Sequence, residues 1–428
     1  MPTIKLKEVA QLKGGENSHQ AAQLLADVER AGKNVYTGSD IGDPKEVNPG
    51  WTSGGDIGAV LRTSINLGEI YRNSNTPCIA VNSKHTRPVV IAKGRTQLEA
   101  TIKAIAGDLN SPFGGVWGFN TGLEYDTSQF LKRMFFVGVV APEYEKQAAE
   151  LLKDKILVET GNLNSGNIDP FRGSLQPLPL GYFLEQEREP AFDVTNEAVV
   201  VTGNNGNPDI TSLDAQLLDD IEFAGNAAIY LASNLVFYVH DGAIAGLGDG
   251  CGARTVAARK ARNMLQDSAY AALSADTLKT WSRALYDTPF GMDDFEGTIK
   301  MPIRLVAFSD AFFPKLDGFV ETAGIDRINE DFQSQRVKYK EGKETKTFIP
   351  KRDNYNPRYD RALIPEVVVQ PGGSLGDKVI LPIAEQYDVK MVFTMTPEQF
   401  ELYKAGEKDP ITKKPVTGRR FFGHIIMT

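Results

Sequence analysis

Short runs of β-branched and aromatic residues alternate along the chain with longer segments whose apolar positions repeat with a helical period. This alternation predicts an α/β protein built on parallel or mixed sheets. The predicted strands cover residues 78–81, 134–140, 198–202, 303–308, 367–370 and 389–394. The predicted helices cover residues 18–32, 96–106, 143–153, 214–232, 255–265 and 375–387.

One hairpin and two polar segments interrupt this alternation. In NLVFYVHDGAIAGLG, Asp241-Gly242 supplies the positive φ values that a two-residue turn requires, so His240 beside it is expected to be an ordinary structural residue. Residues 326–366 and 404–418 are rich in charged and polar side chains, which predicts exposed insertions. The prolines between residues 171 and 190 predict a domain boundary near residue 195.

Composition narrows the class of function. With 428 residues, 41% of them hydrophobic, the chain can bury the cores of roughly two or three domains. A formal charge of −8 argues against nucleic-acid binding, which needs a surplus of Lys and Arg, and favours a small-molecule partner. The sequence has neither an apolar stretch of the roughly 20 residues that span a membrane nor an apolar signal core, so we expect a cytoplasmic protein without a membrane partner. Its two cysteines are too few for a disulfide framework.

Histidine is rare, with four residues in the chain. His85 follows a buried-looking strand in TPCIAVNSKHTRP, which places Lys84 and His85 on the loop at a strand end, where α/β sheets bind ligands. A lone loop histidine is more often only solvated, and the adjacent lysine adds little by itself. Residue type alone therefore nominates this pair without deciding its chemistry.

Three glycine-bearing stretches have the form of ligand loops. GLGDGCGAR precedes the predicted helix at residue 255, and VVVQPGGSLGDK joins a strand to a helix through Gly372 and Gly373, so backbone N–H groups at either helix start could hold an anion. SPFGGVWGFN, which contains Gly114, fits a turn or the wall of a pocket for a flat ligand. Tight turns explain each loop about as well, and the chain has neither a phosphate-loop pattern nor a GxGxxG dinucleotide pattern after a strand.

Aromatic residues stand where turn residues are expected. AFSDAFFPKLDG places Phe312 just outside a strand, near Asp310 and Asp317, a setting that suits stacking on a flat heterocycle, although core packing is the commoner use of such rings. GRRFFGH repeats the theme with Arg420 and His424. A zinc deaminase would need H-x-E and a later P-C-x-x-C, and the sequence contains neither.

Taken in order, these segments resemble the transformylase half of the bifunctional purine enzyme family that formylates the aminoimidazole carboxamide ribonucleotide AICAR and then closes the ring to inosinate. LKGGENSHQ is similar to the family's R-Y-G-x-N-P-H-Q, NSKHTRP to its K-H-x-x-P loop, and SPFGGVWGFN to its S-x-F-G-G segment. ASNLVFYVHDGAIAGLGDGCGAR, SDAFFPKLDG, VVVQPGGSLGDKVI and RFFGH are similar to its later motifs. No segment resembles the cyclohydrolase half, so we expect another protein to close the ring.

The resemblance implies a fold and an assembly. We expect two related cytidine-deaminase-like three-layer α/β subdomains, residues 1–195 and 196–428, without a zinc site. The resemblance further implies a homodimer with active sites at the subunit interface and 10-formyltetrahydrofolate as the formyl donor. It also implies a structural monovalent cation near Ser233, Asp310 and His424.

The resemblance also assigns roles to residues. His85 matches the family's base, which removes a proton from the substrate amine. Lys84 matches the group that supports the oxyanion and the leaving folate nitrogen, and Asn234 matches a neutral donor to the formyl oxygen. The residues implied to bind substrate are Lys13, Asn17, His19, Gly114, Arg254, Phe312, Asp317, Gly372, Gly373, Arg420 and His424.

Departures from the family pattern leave the substrate open. Lys13-Gly14 replace an Arg-Tyr pair that contacts the nucleotide, which loses a planar phosphate ligand. We expect basic residues of the insertion at 326–366, such as Arg336, Lys338 or Arg352, to bind the phosphate in place of the lost arginine. The alternative is that this insertion is only a solvated loop. One alternative is a paralogue that binds a nucleotide without turnover or has a changed substrate. Another is a donor that consists of formate with ATP.

Overall fold

A computed structural model describes residues 5–12, 16–17, 19–29, 31, 50–164, 166, 173–177, 179, 183–187, 189–274, 289–291, 293–325, 337–341, 344–348 and 363–421. The helices in these ranges are α1 (Trp51–Tyr71), α2 (Gln97–Gly107), α3 (Tyr125–Lys132), α4 (Lys146–Leu151), α5 (Val194–Glu197), α6 (Ala215–Ala228), α7 (Arg254–Gln266), α8 (Ala269–Ser274), α9 (Asp293–Glu296), α10 (Leu316–Ala323), α11 (Asp377–Gln386) and α12 (Pro397–Ala405).

The strands are β1 (Leu6–Gln11), β2 (Gln23–Asp27), β3 (Cys78–Lys84), β4 (Arg87–Gly94), β5 (Val116–Phe119), β6 (Gly138–Ala141), β7 (Ile156–Glu159), β8 (Gly173–Pro177), β9 (Phe183–Glu187), β10 (Val199–Thr202), β11 (Val236–His240), β12 (Ala243–Gly248), β13 (Val306–Ser309), β14 (Val337–Glu341), β15 (Glu344–Phe348), β16 (Val367–Gln370) and β17 (Lys390–Phe393).

One mixed sheet takes strands from both halves of the chain. Among the described residues it has 11 strands, in the order β10-β17-β16-β13-β11-β12-β4-β3-β5-β6-β7. The remaining strands form separate two-stranded ribbons, β1–β2, β8–β9 and β14–β15. The α/β class predicted from the sequence is therefore confirmed.

The same order of elements occurs twice in this sheet. In the first half the antiparallel hairpin β3–β4 is followed by the parallel strands β5, β6 and β7. In the second half the hairpin β11–β12 is followed by the parallel strands β13, β16 and β17. The two hairpins pair through β4 and β12, at Ala92 and Ala243. Because the halves share one sheet, the domain boundary near residue 195 stays a prediction.

Helices cover both faces of the sheet, because the strands are apolar on both faces. Along β3, Ala80 packs in the cluster that contains Ala104 of α2. Its neighbours Ile79 and Val81 point to the other face and pack in the cluster that contains Ile57 of α1. The result is three layers, with the sheet between two layers of helices.

The hairpin predicted at Asp241-Gly242 is confirmed. The two residues have φ values of 46° and 72° and join β11 to β12. His240 is buried, and its ring nitrogens lie 2.8 Å from the carbonyl oxygens of Arg304 and Lys300. Burial lowers the pKa of this imidazole, and its contacts are those of a structural residue.

The helix predicted over residues 18–32 is wrong. Gln23–Asp27 form the strand β2, which pairs antiparallel with β1. Apolar residues in QAAQLLADVERAG repeat with a helical period. The backbone groups of this segment are instead paired with a strand that lies 12 or more residues earlier. Hydrophobic periodicity within the segment carries no information about that partner strand.

The 21-residue helix α1 was not predicted. Its sequence contains four glycines, Gly54, Gly55, Gly58 and Gly68, and glycine in a helix interior is unfavourable by roughly 0.5–1 kcal/mol relative to alanine. Packing explains two of these glycines. A Cβ at Gly68 would lie 2.6 Å from the Asn120 side chain, and a Cβ at Gly55 would collide with Thr86.

Candidate active site

Most of the candidate residues lie at one edge of the sheet, which we call the site edge. The strands β3, β12, β13, β16 and β17 end there, and their antiparallel partners β4, β5, β10 and β11 begin there. The site edge therefore collects loops from both halves of the chain. The β11–β12 turn lies at the opposite edge, which we call the far edge.

The turn between β3 and β4 carries the candidate catalytic pair. Lys84 is half-buried and His85 is exposed. His85 and Thr86 have φ values of 54° and 66°, a left-handed conformation that costs non-glycine residues roughly 1–3 kcal/mol each. Such a turn persists only when its surroundings hold it.

Asp56 of α1 holds this turn. Its Oδ1 accepts hydrogen bonds from the Thr86 backbone N–H at 2.7 Å and from the Ser83 hydroxyl at 3.2 Å. Burial raises the pKa of Asp56 to about 6, against the opposing effects of these hydrogen bonds and of the nearby His85 and Lys84 side chains. Asp56 was not among the residues predicted from the sequence. The only local signal is an acidic residue after Gly54-Gly55 in an otherwise apolar segment.

The glycine pair of SPFGGV lies next to this turn. Gly114 has a φ of 86°, and its N–H donates to the Phe135 carbonyl at 2.8 Å. A Cβ at Gly115 would collide with the Asn82 side chain and lie 2.5 Å from the Ser83 carbonyl oxygen. The Phe135 ring, 66% exposed, stands beside Gly114. This segment therefore forms one side of the candidate site.

Asn234 approaches the turn from the second half of the chain. Its Nδ2 donates to the Cys251 carbonyl at 2.9 Å, which leaves the second N–H of the amide for another acceptor. Its loop is tied to the GLGDGCGAR loop by the Gly250 N–H, which donates to the Ala232 carbonyl at 2.7 Å. A Cβ at Gly250 would collide with the Arg87 guanidinium, so the loops of the two halves meet there.

Arg254 is largely buried in an ion pair with Asp310. Its Nη1 also donates to the Leu235 carbonyl at 2.8 Å, and the Leu235 N–H donates to Asp310 at 3.0 Å. These bonds fix the start of β11 beside the start of α7. The structure thus places Arg254 under the site edge, with its charge already paired, and its role toward substrate stays a prediction.

Phe312 and Arg420 form an aromatic and cationic patch at the same edge. The Arg420 guanidinium carbon lies 4.9 Å from the centre of the half-buried Phe312 ring. Asp317 is half-buried at the start of α10, and its Oδ1 accepts the Gly318 N–H at 2.9 Å. The patch offers a flat ring surface of the kind that a heterocycle stacks on.

The loop of Gly372 and Gly373 already binds a carboxylate of its own chain. Asp377 Oδ2 accepts the Gly373 N–H at 2.7 Å and the Ser374 N–H at 2.9 Å. A Cβ at Gly372 would collide with the Phe393 ring, and one at Gly373 with the Val416 carbonyl. The geometry is that of a tight turn, and a role in anion binding stays a prediction.

The N-terminal candidates belong to a separate two-stranded ribbon. Asn17 and His19 are exposed residues between β1 and β2, a ribbon whose strands are largely exposed. Lys13 and His424 lie outside the described residues. Of the insertion residues, Arg336 and Arg352 also lie outside, and only the backbone of Lys338 is described, as part of the β14–β15 ribbon.

In the described part of the chain, no group of three or more His, Cys, Asp or Glu side chains is placed to hold a metal ion. None of its helices combines the length and the apolar character needed to cross a bilayer.

Comparison with known proteins gives a consistent result. The family model described as "AICARFT/IMPCHase bienzyme" matches residues 1–264. The bifunctional purine biosynthesis protein PurH of Bradyrhizobium diazoefficiens is 27% identical over 394 residues, which cover 91% of this chain and 59% of that protein. PurH of Chlorobium phaeovibrioides is 25% identical over 401 residues, covering 92% and 59%. PurH of Rhodopirellula baltica is 30% identical over 256 residues, covering 58% and 45%.

The chain spans about three fifths of the length of the first two curated relatives, at 59% of each. Their names describe two activities in a longer protein. Which activity this chain shares with them is argued below from the residues at the site edge.

Proposed function

Because the chain belongs to the AICARFT/IMPCHase bienzyme family, we propose that it acts in purine biosynthesis as a formyltransferase. In this proposal a formyl group passes from 10-formyltetrahydrofolate to the 5-amino group of AICAR. The products are formylated AICAR and tetrahydrofolate, and the reaction takes place in the cytoplasm.

The meeting of the β3–β4 turn with the Asn234 loop gives this proposal its main support. The turn offers a base and a cation, His85 and Lys84, and the Arg87 contact with Gly250 brings the Asn234 loop beside them. A protein that only binds a nucleotide needs no base next to a cation at a strained turn. Formyl transfer needs both of these groups and a neutral donor.

The proposed mechanism follows from these three side chains. His85 takes the proton of the substrate amine as the nitrogen attacks the formyl carbon, since this amine is a weak nucleophile. Lys84 and the second side-chain N–H of Asn234 stabilise the negative charge that develops on the formyl oxygen. Lys84 then donates a proton to the folate nitrogen as its bond to the formyl carbon breaks, and the proton on His85 returns to Lys84.

The proposal includes a homodimer with active sites at the interface. Its support is the exposure of Asn17 and His19, which belong to a separate ribbon whose strands are largely exposed. A second copy could receive this ribbon at its site edge. The partners in this account are two small molecules and a second chain.

A structural monovalent cation also belongs to the proposal. Asp310 Oδ2 is buried and has no hydrogen-bond partner among the described residues, which fits an ion at that position. Ser233 is near in sequence to Leu235, whose N–H binds the other oxygen of Asp310. No step of the reaction passes through this ion.

The experiment that tests the proposal compares donors. The purified chain is incubated with AICAR and either 10-formyltetrahydrofolate or formate with ATP, and formylated AICAR is measured. Formylation with the folate supports the proposal. Formylation only with formate and ATP would replace the donor, and AICAR binding without turnover under either condition would favour a non-catalytic paralogue.

A further inference from the structure

Arg87 is an exposed cation at the site edge. Its side chain is exposed and makes neither an ion pair nor a hydrogen bond with any other described residue. Two other arginines at this edge differ, because Arg254 is paired with Asp310 and Arg419 with Glu189 and Glu197. The Arg87 guanidinium lies against Gly250, which has a φ of 60° and would collide with it if it carried a Cβ.

Arg87 also faces a second cation. In the β3–β4 register Lys84 and Arg87 stand directly opposite each other across the turn. Like charges in this relation repel each other. The acidic neighbour of the turn, Asp56, already accepts hydrogen bonds from Thr86 and Ser83. Asp56 also interacts with the charge of Lys84. Among the described residues, Arg87 is therefore the cation of this turn that an anion from solution would neutralise.

We propose that Arg87 binds the phosphate monoester of the acceptor and makes the site selective for a ribonucleotide over the corresponding riboside. The guanidinium can donate two parallel N–H groups to two phosphate oxygens. Arg87 is two residues from His85, so the amine and the phosphate of one acceptor both fall at this turn. The identity of the acceptor rests on the proposed function; the recognition of phosphate by Arg87 rests on the turn itself.

The test measures binding of ribose 5-phosphate and of ribose to the full chain by calorimetry. Arg87→Ala is expected to weaken binding of ribose 5-phosphate about 10- to 100-fold, the loss typical of a charge-assisted hydrogen bond, and Arg87→Lys to retain part of it. Arg95→Ala is the matched control. It removes an equal charge just after the other end of β4, where Arg95 pairs with Glu99, and is expected to bind as the wild type does.

Three results of the binding measurements would overturn the proposal. They are unchanged binding in Arg87→Ala, equal weakening in Arg95→Ala, and failure of the wild-type chain to prefer ribose 5-phosphate to ribose. In turnover assays, Arg87→Ala should raise KM for AICAR and leave KM for the folate unchanged; a rise in the folate KM alone would assign Arg87 to the folate carboxylates and also overturn it. An inactive wild-type chain that shows the expected binding pattern would contradict the proposed function and leave phosphate recognition supported.

Discussion

Asp56 is the residue that links the first helix to the candidate catalytic turn. It is 5% exposed, and its Oδ1 holds both the Thr86 N–H and the Ser83 hydroxyl. Folding therefore buries a carboxylate to hold a turn whose two residues are in the left-handed conformation. We infer that Asp56 positions Lys84 and His85 without contacting substrate.

The raised pKa of Asp56 predicts a specific pH dependence of stability. The pKa of an aspartate carboxyl is ordinarily 3.8, and that of Asp56 is about 6 in the folded chain, so the folded state binds the carboxyl proton more tightly than the unfolded state does. The contribution of Asp56 to the free energy of unfolding should fall as the pH rises from about 4 to about 6. Asp56→Asn lacks this contribution, so its stability relative to the wild type should increase across that window, as measured by urea unfolding at several pH values. Parallel pH profiles for the two proteins would contradict the assignment.

The roles proposed for His85 and Lys84 predict a split between turnover and binding. His85→Ala and Lys84→Ala should each lower kcat at least about 100-fold, because general acid–base steps supply that much or more. Binding of AICAR should change far less in His85→Ala than turnover does. Steady-state kinetics measures the turnover, and calorimetry measures the binding of AICAR. Near-normal turnover in either variant would show that the mechanism is wrong.

Lys84 and His85 could be predicted from the sequence, whereas Asp56 and Arg87 could not, and the difference has a physical reason. Lys84 and His85 belong to a short contiguous motif at the end of a predictable strand. Asp56 and Arg87 matter through contacts made only after α1 packs on the sheet and the two halves meet at Gly250. No local pattern contains such contacts.

At the scale of elements, the packing of α1 against the β3–β4 turn depends on a close approach at one glycine. A Cβ at Gly55 would collide with the Thr86 methyl group, whereas a Cβ at the neighbouring Gly54 would meet open space. Both glycines are in the same helix, so their substitution by alanine separates helix propensity from packing against the turn.

Gly54→Ala should therefore stabilise the chain by roughly 0.5–1 kcal/mol and leave turnover unchanged. Gly55→Ala should gain less or lose stability and should lower kcat, because Thr86 must move. Thr86→Ser removes the methyl group, so the double variant Gly55→Ala/Thr86→Ser should recover part of the loss. Denaturation and kinetics on the three variants measure this, and identical behaviour of Gly54→Ala and Gly55→Ala would refute it.

Strands and helices with a strong hydrophobic periodicity were predictable from the sequence. Elements that were predicted wrongly or not at all show which contacts override this periodicity. The predicted strand at residues 367–370 coincides with β16, and the predicted helix at 255–265 lies within α7. The segment at 18–32 forms β2 because β1 supplies a partner, and the glycine-rich α1 is helical because its glycines fit against neighbouring loops. In both cases tertiary contacts decide against local propensity.

At the scale of the whole molecule, two similar arrangements of strands share one sheet and place their loops at the same edge. The order is hairpin followed by three parallel strands in each half, and the halves join through β4 and β12. A site assembled from both halves follows from this arrangement, since the turn of one hairpin and the loop before the other are neighbours at the site edge.

The exposed β1–β2 ribbon predicts an obligate homodimer. Asn17 and His19 would complete the site of the second copy, through an interface at or above the roughly 1,200–2,000 Å² of stable complexes. Light scattering at assay concentrations should give twice the mass of the chain, and removal of residues 1–31 should lower both the mass and the activity. A fully active monomer would show that the predicted dimer is not required for activity.

A progress curve with the purified chain, AICAR and 10-formyltetrahydrofolate tests the proposed formyl transfer directly. We predict that the wild-type chain forms formylated AICAR and tetrahydrofolate in equal amounts, and that His85→Ala forms them at least about 100-fold more slowly. Absence of both products from a folded wild-type chain that binds AICAR would contradict this prediction.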